Sequence, residues 1–510
     1  MRRVTSPGPS FLAVIAQQGE VEMVSIAGTD GNDILTGGDE NDSIRGWKGN
    51  DQIFGGAGND SLDGWYGNDT IYGGTGNDFL LGDLGDDFLY GEDGDDYLRA
   101  GEAPGTDFLS GGAGNDKLVL NGYGTKIAMG DAGDDLFECY TGIKLIYGGD
   151  GIDTVSYSDA RQGVKVDLKS GVGSGYWAEG DTYFSIENIV GSLRGDVLIG
   201  NDLDNIIHGN DGNDQIFGGA GNDVISGGKD GDELNGGIGV NTLDYRASPE
   251  GVKINLSTNT GSGGDATGDT FYFFQIVDGS SYADTLIGGL AAEVLNGNNA
   301  NDTLKGYGGA DTLDGGAGAD KLYGGAGKDT ASYANAVKGV VANLSEASLN
   351  TNDAKGDTYS SIENLLGSSY NDRVTGNTAA NKLWGGVGDD KLYGGLGQDV
   401  LIGGTGKDKF IFDTEIGSTN VDKVDDFIAK DDTMWLDDGI FAAAGTVGGL
   451  ASGAFYAGTT AHDASDRIVY DKTTGKLWYD VDGTGATAAV QFALIDKALT
   501  LTASHFDIIA

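Results

Sequence analysis

Residues Gly28 to Arg99 read GTDGNDILT GGDENDSIR GWKGNDQIF GGAGNDSLD GWYGNDTIY GGTGNDFLL GDLGDDFLY GEDGDDYLR, an unbroken series of nine-residue units. The sixth position of every unit is Asp: Asp33, Asp42, Asp51, Asp60, Asp69, Asp78, Asp87 and Asp96. The eighth is always Leu or Ile, from Leu35 and Ile44 to Leu98. Glycine supplies the left-handed backbone of a tight turn, and Asp sets a carboxylate at its end. The three residues that follow make a very short strand with one aliphatic side chain pointing inward. Two units therefore close one flattened coil of 18 residues, and stacked coils bury a Leu/Ile ladder between two parallel sheets. Equivalent turns then lie above one another and form two columns of carboxylates. One holds Asp33, Asp51, Asp69 and Asp87, the other Asp42, Asp60, Asp78 and Asp96. Like charges so stacked oppose folding unless a cation lies among them, and calcium, with six to eight oxygen ligands, suits carboxylates and turn carbonyls.

Composition agrees with an ordered, glycine-dependent architecture. Of 510 residues, 93 are Gly and only 4 Pro, which rules out collagen and proline-rich linkers. The 79 acidic side chains against 31 basic ones leave a net charge of -48, which argues against nucleic acid or an anionic membrane as a partner. The lone Cys139 permits no intrachain disulfide, so an exported form must draw its stability from elsewhere. No run of 18 apolar residues offers a transmembrane helix. Near the N-terminus, Arg2, Arg3 and the apolar run Phe11 to Ala16 match a cleaved signal peptide poorly, with Pro7 and Pro9 ahead of the run, and Met23 is an alternative start.

The units resemble the RTX, or haemolysin-type calcium-binding, repeat G-G-x-G-x-D-x-U-x, where U is a large apolar residue, a pattern of calcium-binding parallel β-structure. The resemblance implies calcium held between successive turns by the sixth-position Asp and backbone carbonyls. Carried along the chain, that role falls on the eight residues above and on Asp116, Asp135 and Asp153, past an insertion near Pro104. Later runs add Asp196, Asp214, Asp223 and Asp232, then Asp284, Asp302, Asp311, Asp320 and Asp329, then Asp372, Asp390, Asp399 and Asp408. Asn205, Asn241 and Asn381 take the acidic position, as does Glu293, and these sites are expected to bind calcium more weakly or to stay empty.

A longer period overlies the first. DTVSYSDARQGVKVDL from Asp153, NTLDYRASPEGVKINL from Asn241 and DTASYANAVKGVVANL from Asp329 recur at 88 residues. The landmarks Gly180-Asp181-Thr182 and Gly191-Ser192 recur at the same interval. Each copy joins a nonapeptide run to an element of about 34 residues with alternating strand patterns, read as a wider coil of the same solenoid; separate β-hairpin modules are the alternative.

The fold expected is all-β: a parallel β-roll or β-solenoid with a small C-terminal β cap. The divisions are a poorly ordered leader over 1–27, a first block of repeats over 28–156, wider elements alternating with repeats over 157–411, a cap over 412–455, and a β-hairpin with an export signal over 456–510. VDKVDDFIAKDDTMWLDD resembles the pattern that follows RTX rolls in serralysin-like C-terminal regions, with Lys430 near a usual Gly. DRIVYDKTTGKLWYDVDG reads as a hairpin with Ile468 and Tyr470 facing Leu477 and Tyr479 across Lys472 to Gly475, and Asp480 and Asp482 before Gly483 are read as closing a turn, half of another calcium loop being the alternative. The apolar tail ending Phe506-Asp507-Ile508-Ile509-Ala510 resembles an uncleaved type I secretion signal, the alternative being an ordinary terminal strand or helix.

Neither H-E-x-x-H nor G-x-S-x-G occurs, and His208, His462 and His505 are far apart, so a non-enzymatic protein is expected. The resulting reading is a secreted calcium-binding protein with a structural or adhesive role. Its partners would be calcium, the type I secretion machinery, and a cell-surface or matrix polysaccharide or a host surface. A toxin-like protein, or a carbohydrate-active enzyme with a site on the solenoid, is the alternative. Trp47 and Trp65 are candidates for sugar contact or plain turn cover.

Overall fold

The computed structural model describes residues 25–510, nearly all of them in short strands and tight turns. The proposed leader and start site therefore lie, up to residue 24, outside the described residues. The first strand, Ser25–Ala27, precedes Gly28 and pairs in parallel with Ser43–Lys48, so the roll starts earlier than the first full nonapeptide. The chain forms two compact units, one reaching Asp244 and including Asp265–Phe274, the other comprising Tyr245–Gly264 and Gln275–Ala510.

In the first unit each nonapeptide contributes one strand, and alternate repeats feed opposite sheets. One ladder aligns Ile44 with Leu62, Leu62 with Leu80 and Leu80 with Leu98. The other aligns Leu35 with Ile53, Ile53 with Ile71 and Ile71 with Leu89. From Ile53 to Leu98 these side chains are fully buried. Burial of a Leu or Ile contributes about 1.5–3 kcal/mol, so the core is a one-residue-per-strand file whose stability grows coil by coil.

The wider elements belong to the stack. Thr182–Phe184 pairs in parallel with Ile143–Asp150, and Asn188–Val190 with Thr154–Ser156, so both sheets run on through the element. Between them Lys165–Asp167 turns back on Val172–Ser174 as an antiparallel hairpin and then pairs in parallel with Val197–Ile199. The second unit repeats the arrangement: Thr358–Ser360 pairs with Lys321–Ala326, and Val341–Asn343 with Arg373–Thr375. Each wider element is thus a coil with a hairpin folded out of it.

At the C-terminal end, Asp422–Val424 and Thr433–Asp437 extend two sheets of the second unit. The terminal strand Phe506–Ile509 adds in parallel to Thr433–Asp437, burying Phe506 and Ile508. The hairpin has the expected register, Ile468 opposite Tyr479 and Tyr470 opposite Leu477. Asp480 closes its turn by accepting from the Gly483 amide at 2.8 Å.

Candidate metal centres

The sixth-position carboxylates stand in ladders along the coil edges. Oδ1 of Asp51 accepts the Asp33 amide at 2.8 Å, and Asp69 and Asp87 repeat the bond one coil further on each time. The second column runs through Asp42, Asp60, Asp78, Asp96, Asp116, Asp135 and Asp153 and finishes on Glu187. A third joins Asp196, Asp214, Asp232 and Asp269. In the second unit Asp284, Asp302, Asp320 and Asp357 form one column, and Glu293, Asp311, Asp329 and Glu363 another. Asp372, Asp390, Asp408 and Asp432 form a third, while Asn381, Asp399 and Asp422 form a fourth.

A second ladder lies beside the first and runs the opposite way. The fifth-position Asn50 amide donates back to Oδ1 of Asn32, and Asn68 to Asn50. The side chains of the Asn-Asp pair therefore tie each turn both to the coil before it and to the coil after it, which explains the recurrent GND.

One oxygen per carboxylate fixes the turn; the other is left over. Oδ2 is buried with no hydrogen-bond partner in Asp51, Asp60, Asp69, Asp78, Asp87, Asp96, Asp116, Asp135 and Asp153. The same holds for Asp214, Asp223, Asp232, Asp302, Asp311, Asp320, Asp329, Asp390, Asp399 and Asp408, and for Oε2 of Glu293. Such atoms are rare in folded proteins because stranding a buried acceptor is costly. Several face another acceptor, as Asp51, Asp60 and Asp78 face the carbonyl oxygens of Gly64, Gly73 and Gly91. A Cβ placed on Gly297 would stand 2.5 Å from Oδ2 of Asp302 and 2.8 Å from the carbonyl oxygen of Gly315 in the next coil. Glycine occupies the first position because nothing larger fits between those oxygens.

Asp33, Asp42, Asp196, Asp284 and Asp372 differ from the rest. Oδ2 of Asp33 accepts from the Thr29 amide and hydroxyl, and Oδ2 of Asp42 from the Gly38 amide. Ser192 saturates Asp196 through its amide and hydroxyl, and Ser280 and Ser368 do so for Asp284 and Asp372. The Gly-Ser landmark is thus a side-chain lock on the first aspartate after each wider coil. The Asn variants satisfy themselves in another way, with Nδ2 of Asn205 donating to the Glu187 carbonyl at 2.7 Å and Nδ2 of Asn381 to that of Glu363. An amide brings its own donor where a carboxylate brings a second acceptor.

The motif left several members unmarked: Asp107, Asp181, Glu187, Asp269, Asp357, Glu363, Asp422 and Asp432. The recurring Gly-Asp-Thr tripeptide was their one visible signal, for Asp181, Asp269 and Asp357. Two of these close their columns with phenols, since the Tyr157 hydroxyl donates to Oδ2 of Asp181 at 2.6 Å and the Tyr333 hydroxyl to Oδ2 of Asp357 at 2.7 Å.

Electrostatics follow from burial. Loss of solvent pushes the carboxyls of Asp51, Asp60, Asp69 and Asp78 up to about 6, partly offset by the amide each accepts. Asp96, Asp135, Asp153 and Asp214 rise to about 7, and Asp87, Asp232 and Asp320 to about 8, with neighbouring carboxylates adding to desolvation. The donor set is entirely oxygen, buried and arranged acceptor against acceptor. It fits a hard divalent cation, and calcium best, because calcium tolerates many oxygen ligands in irregular geometry.

A further acidic group, His462, Asp463 and Asp466, is largely exposed, with the His462 ring nitrogen 2.7 Å from Asp466. No described helix is long and apolar enough to cross a membrane.

Comparison with known families agrees with the geometry. The family model described as the RTX calcium-binding nonapeptide repeat matches residues 27–98, 103–122, 190–243, 275–331 and 366–401 in overlapping windows. No curated protein gave a significant match. The RTX calcium-binding nonapeptide repeats found in these windows carry Asp33 to Asp96, Asp116, Asp196 to Asp232, Asp284 to Asp329 and Asp372 to Asp399, while Asp135, Asp153 and Asp408 lie outside them.

Proposed function

We propose that the protein is a secreted, non-enzymatic calcium-binding protein whose rolls fold on meeting calcium outside the cell and then serve as a structural or adhesive surface. The observation that carries the reading is the row of stranded Oδ2 atoms, several of them set against a carbonyl oxygen of the next coil. Asp51, Asp69 and Asp87 in one column, Asp60, Asp78, Asp96, Asp116, Asp135 and Asp153 in the second, and Asp214, Asp223 and Asp232 further on would hold the ions in the first unit. Asp302, Asp311, Asp320, Asp329, Asp390, Asp399 and Asp408 would do so in the second. Bound calcium supplies positive charge between acceptors that otherwise repel. Since the ladder exists only in the folded chain, binding free energy becomes folding free energy. Extracellular modules bind calcium at about 10⁻⁴–10⁻³ M, so a chain of this design stays unfolded where calcium is scarce.

That behaviour suits export of an unfolded chain by a type I system reading the apolar C-terminal segment, which afterwards docks as the strand Phe506–Ile509. Far-UV circular dichroism during a calcium titration from chelator to about 10 mM, with magnesium as control, tests the switch. A cooperative coil-to-β transition specific to calcium is expected. A chain already β-rich in chelator and indifferent to calcium sinks the reading.

A further inference from the structure

Small departures from the 18-residue coil occur on one edge of the first unit. The Asp87 to Asp107 and Asp96 to Asp116 steps are 20 residues, and Asp116 to Asp135 is 19. The extra residues lengthen the loops around Glu102 and Asn121, which stack on the same edge as the loop around Thr141; the Asn121 side chain accepts the Gly101 amide at 2.9 Å and ties the first two together. The 3-10 turn Tyr176–Ala178 of the wider coil brings Trp177 over this edge. Between them lies a cleft of about 460 Å³, a size typical of small-molecule sites.

Its lining is unlike the rest of the surface. Tyr97, Tyr123, Tyr140 and Trp177 present aromatic rings, with the Tyr140 and Trp177 centroids 5.1 Å apart. The Tyr140 ring is held in place by its hydroxyl, which donates to Asp159 at 2.7 Å. Around the rings Arg99 pairs with Glu102 at 3.3 Å and Lys117 with Glu138 at 2.7 Å, and Asp159 leaves one carboxylate over. In a chain of net charge -48, this is an aromatic cleft of low net charge, rimmed by forked polar groups.

We infer that this cleft binds a neutral pyranose oligosaccharide. A pyranose ring offers an apolar face of C–H bonds that sits on the electron-rich face of an aromatic ring. Its vicinal hydroxyls lie at the ring edge, where guanidinium and carboxylate forks engage them in pairs. An anionic polymer meets the field of the whole chain and finds no net positive charge here to offset it. The inference rests on the proposed adhesive function and names the chemistry of its partner.

The cleft is fixed by the fold rather than by a cation. Nζ of Lys144, fully buried, donates to the Gly142 carbonyl at 3.0 Å and to the Trp177 carbonyl at 2.6 Å, clamping the loop behind Tyr140 to the turn that carries Trp177. In the second unit the corresponding turn, Asn352–Ala354, also borders a cleft, of about 470 Å³. There Asp353 occupies the place of Trp177, two 88-residue periods on, and the lining is polar. The wider coil thus builds a cleft in both units, and the side chains of the first equip it for sugar.

The test uses the full chain in calcium, with the hexasaccharides of glucose, mannose, galactose and N-acetylglucosamine as probes and hexagalacturonate as the anionic comparison, read by isothermal titration calorimetry. At least one neutral probe is expected to bind with Kd of about 1 mM or tighter. Trp177→Ala is expected to weaken that binding at least tenfold. Tyr123→Ala, which removes an exposed ring and leaves the core untouched, is expected to weaken it severalfold. No binding by any neutral probe, stronger binding of hexagalacturonate, or binding indifferent to both substitutions overturns the inference. Circular dichroism of the same samples with and without calcium reports the folding switch separately, so failure of the cleft and failure of the proposed function are distinguishable.

Discussion

Nζ of Lys126 lies 2.5 Å from Oδ2 of Asp107, and both side chains are buried. Asp107 is the next rung after Asp33, Asp51, Asp69 and Asp87, and its amide-accepting Oδ1 keeps the ladder geometry. The following rungs are Lys126 and Lys144, in register with each other, and then Asp181, whose Oδ2 takes Nζ of Lys144 at 3.0 Å. Two ammonium groups therefore supply the positive charge that the rest of the column lacks, and they are covalently part of the chain.

A metal-independent segment follows from that substitution. In chelator, hydrogen exchange is expected to leave amides of Gly105–Ala113 and Gly124–Ala132 more protected than those of Ser43–Lys48 or Ser61–Tyr66. Lys126→Met should erase the difference, since stranding one partner of a buried pair costs roughly 3–5 kcal/mol. Uniform exchange in the unsubstituted chain contradicts the assignment.

The calcium-free chain should respond to acid in the direction opposite to most proteins. A carboxyl whose value rises from 3.8 to about 8, as for Asp87 and Asp232, binds more protons folded than unfolded. Its contribution is fully present below about pH 4 and is lost as pH climbs through about 6 to 8. In chelator, β ellipticity should grow between pH 8 and pH 5. With calcium, whose ligands must be deprotonated, the same acidification should weaken binding. Loss of ellipticity in chelator on acidification refutes the argument.

Stranded and saturated aspartates should behave differently when neutralised. Asp69→Asn removes a buried, unpartnered oxygen and is expected to lower calcium stoichiometry and raise the calcium midpoint severalfold. Asp196→Asn alters a carboxylate already held by Ser192 and should leave stoichiometry unchanged. Equilibrium dialysis with calcium-45 separates the two; equal losses show that the stranded oxygen is irrelevant.

First-position glycines should resist even one methyl group. Gly297→Ala sets Cβ against Asp302 and Gly315 and is expected to shift the calcium-dependent transition several-fold upward. Gly417→Ala, with nothing within 4 Å, serves as the control. If both variants titrate alike, the close approach of the two oxygens has no energetic consequence.

Local chemistry was legible because every nonapeptide repeats the same short-range problem. A glycine turn, a carboxylate and one inward aliphatic residue recur with fixed spacing, so the sequence by itself determined the parallel coils, the two-column arrangement of Asp33 to Asp96 and the register of the hairpin at Ile468. It also placed calcium-type oxygen ligands at the coil edges. What it did not determine depends on which coil lies above which. Asp107 and Asp181 join their columns through steps of 20 and 37 residues, and Lys126 fills a carboxylate position without a motif to mark it. The saturated aspartates are the exception, since Ser192 lies only four residues before Asp196. The tertiary structure decided these points because a buried charge is governed by the atoms within a few ångströms of it, and in a solenoid those atoms belong to the next coil rather than to the next residue.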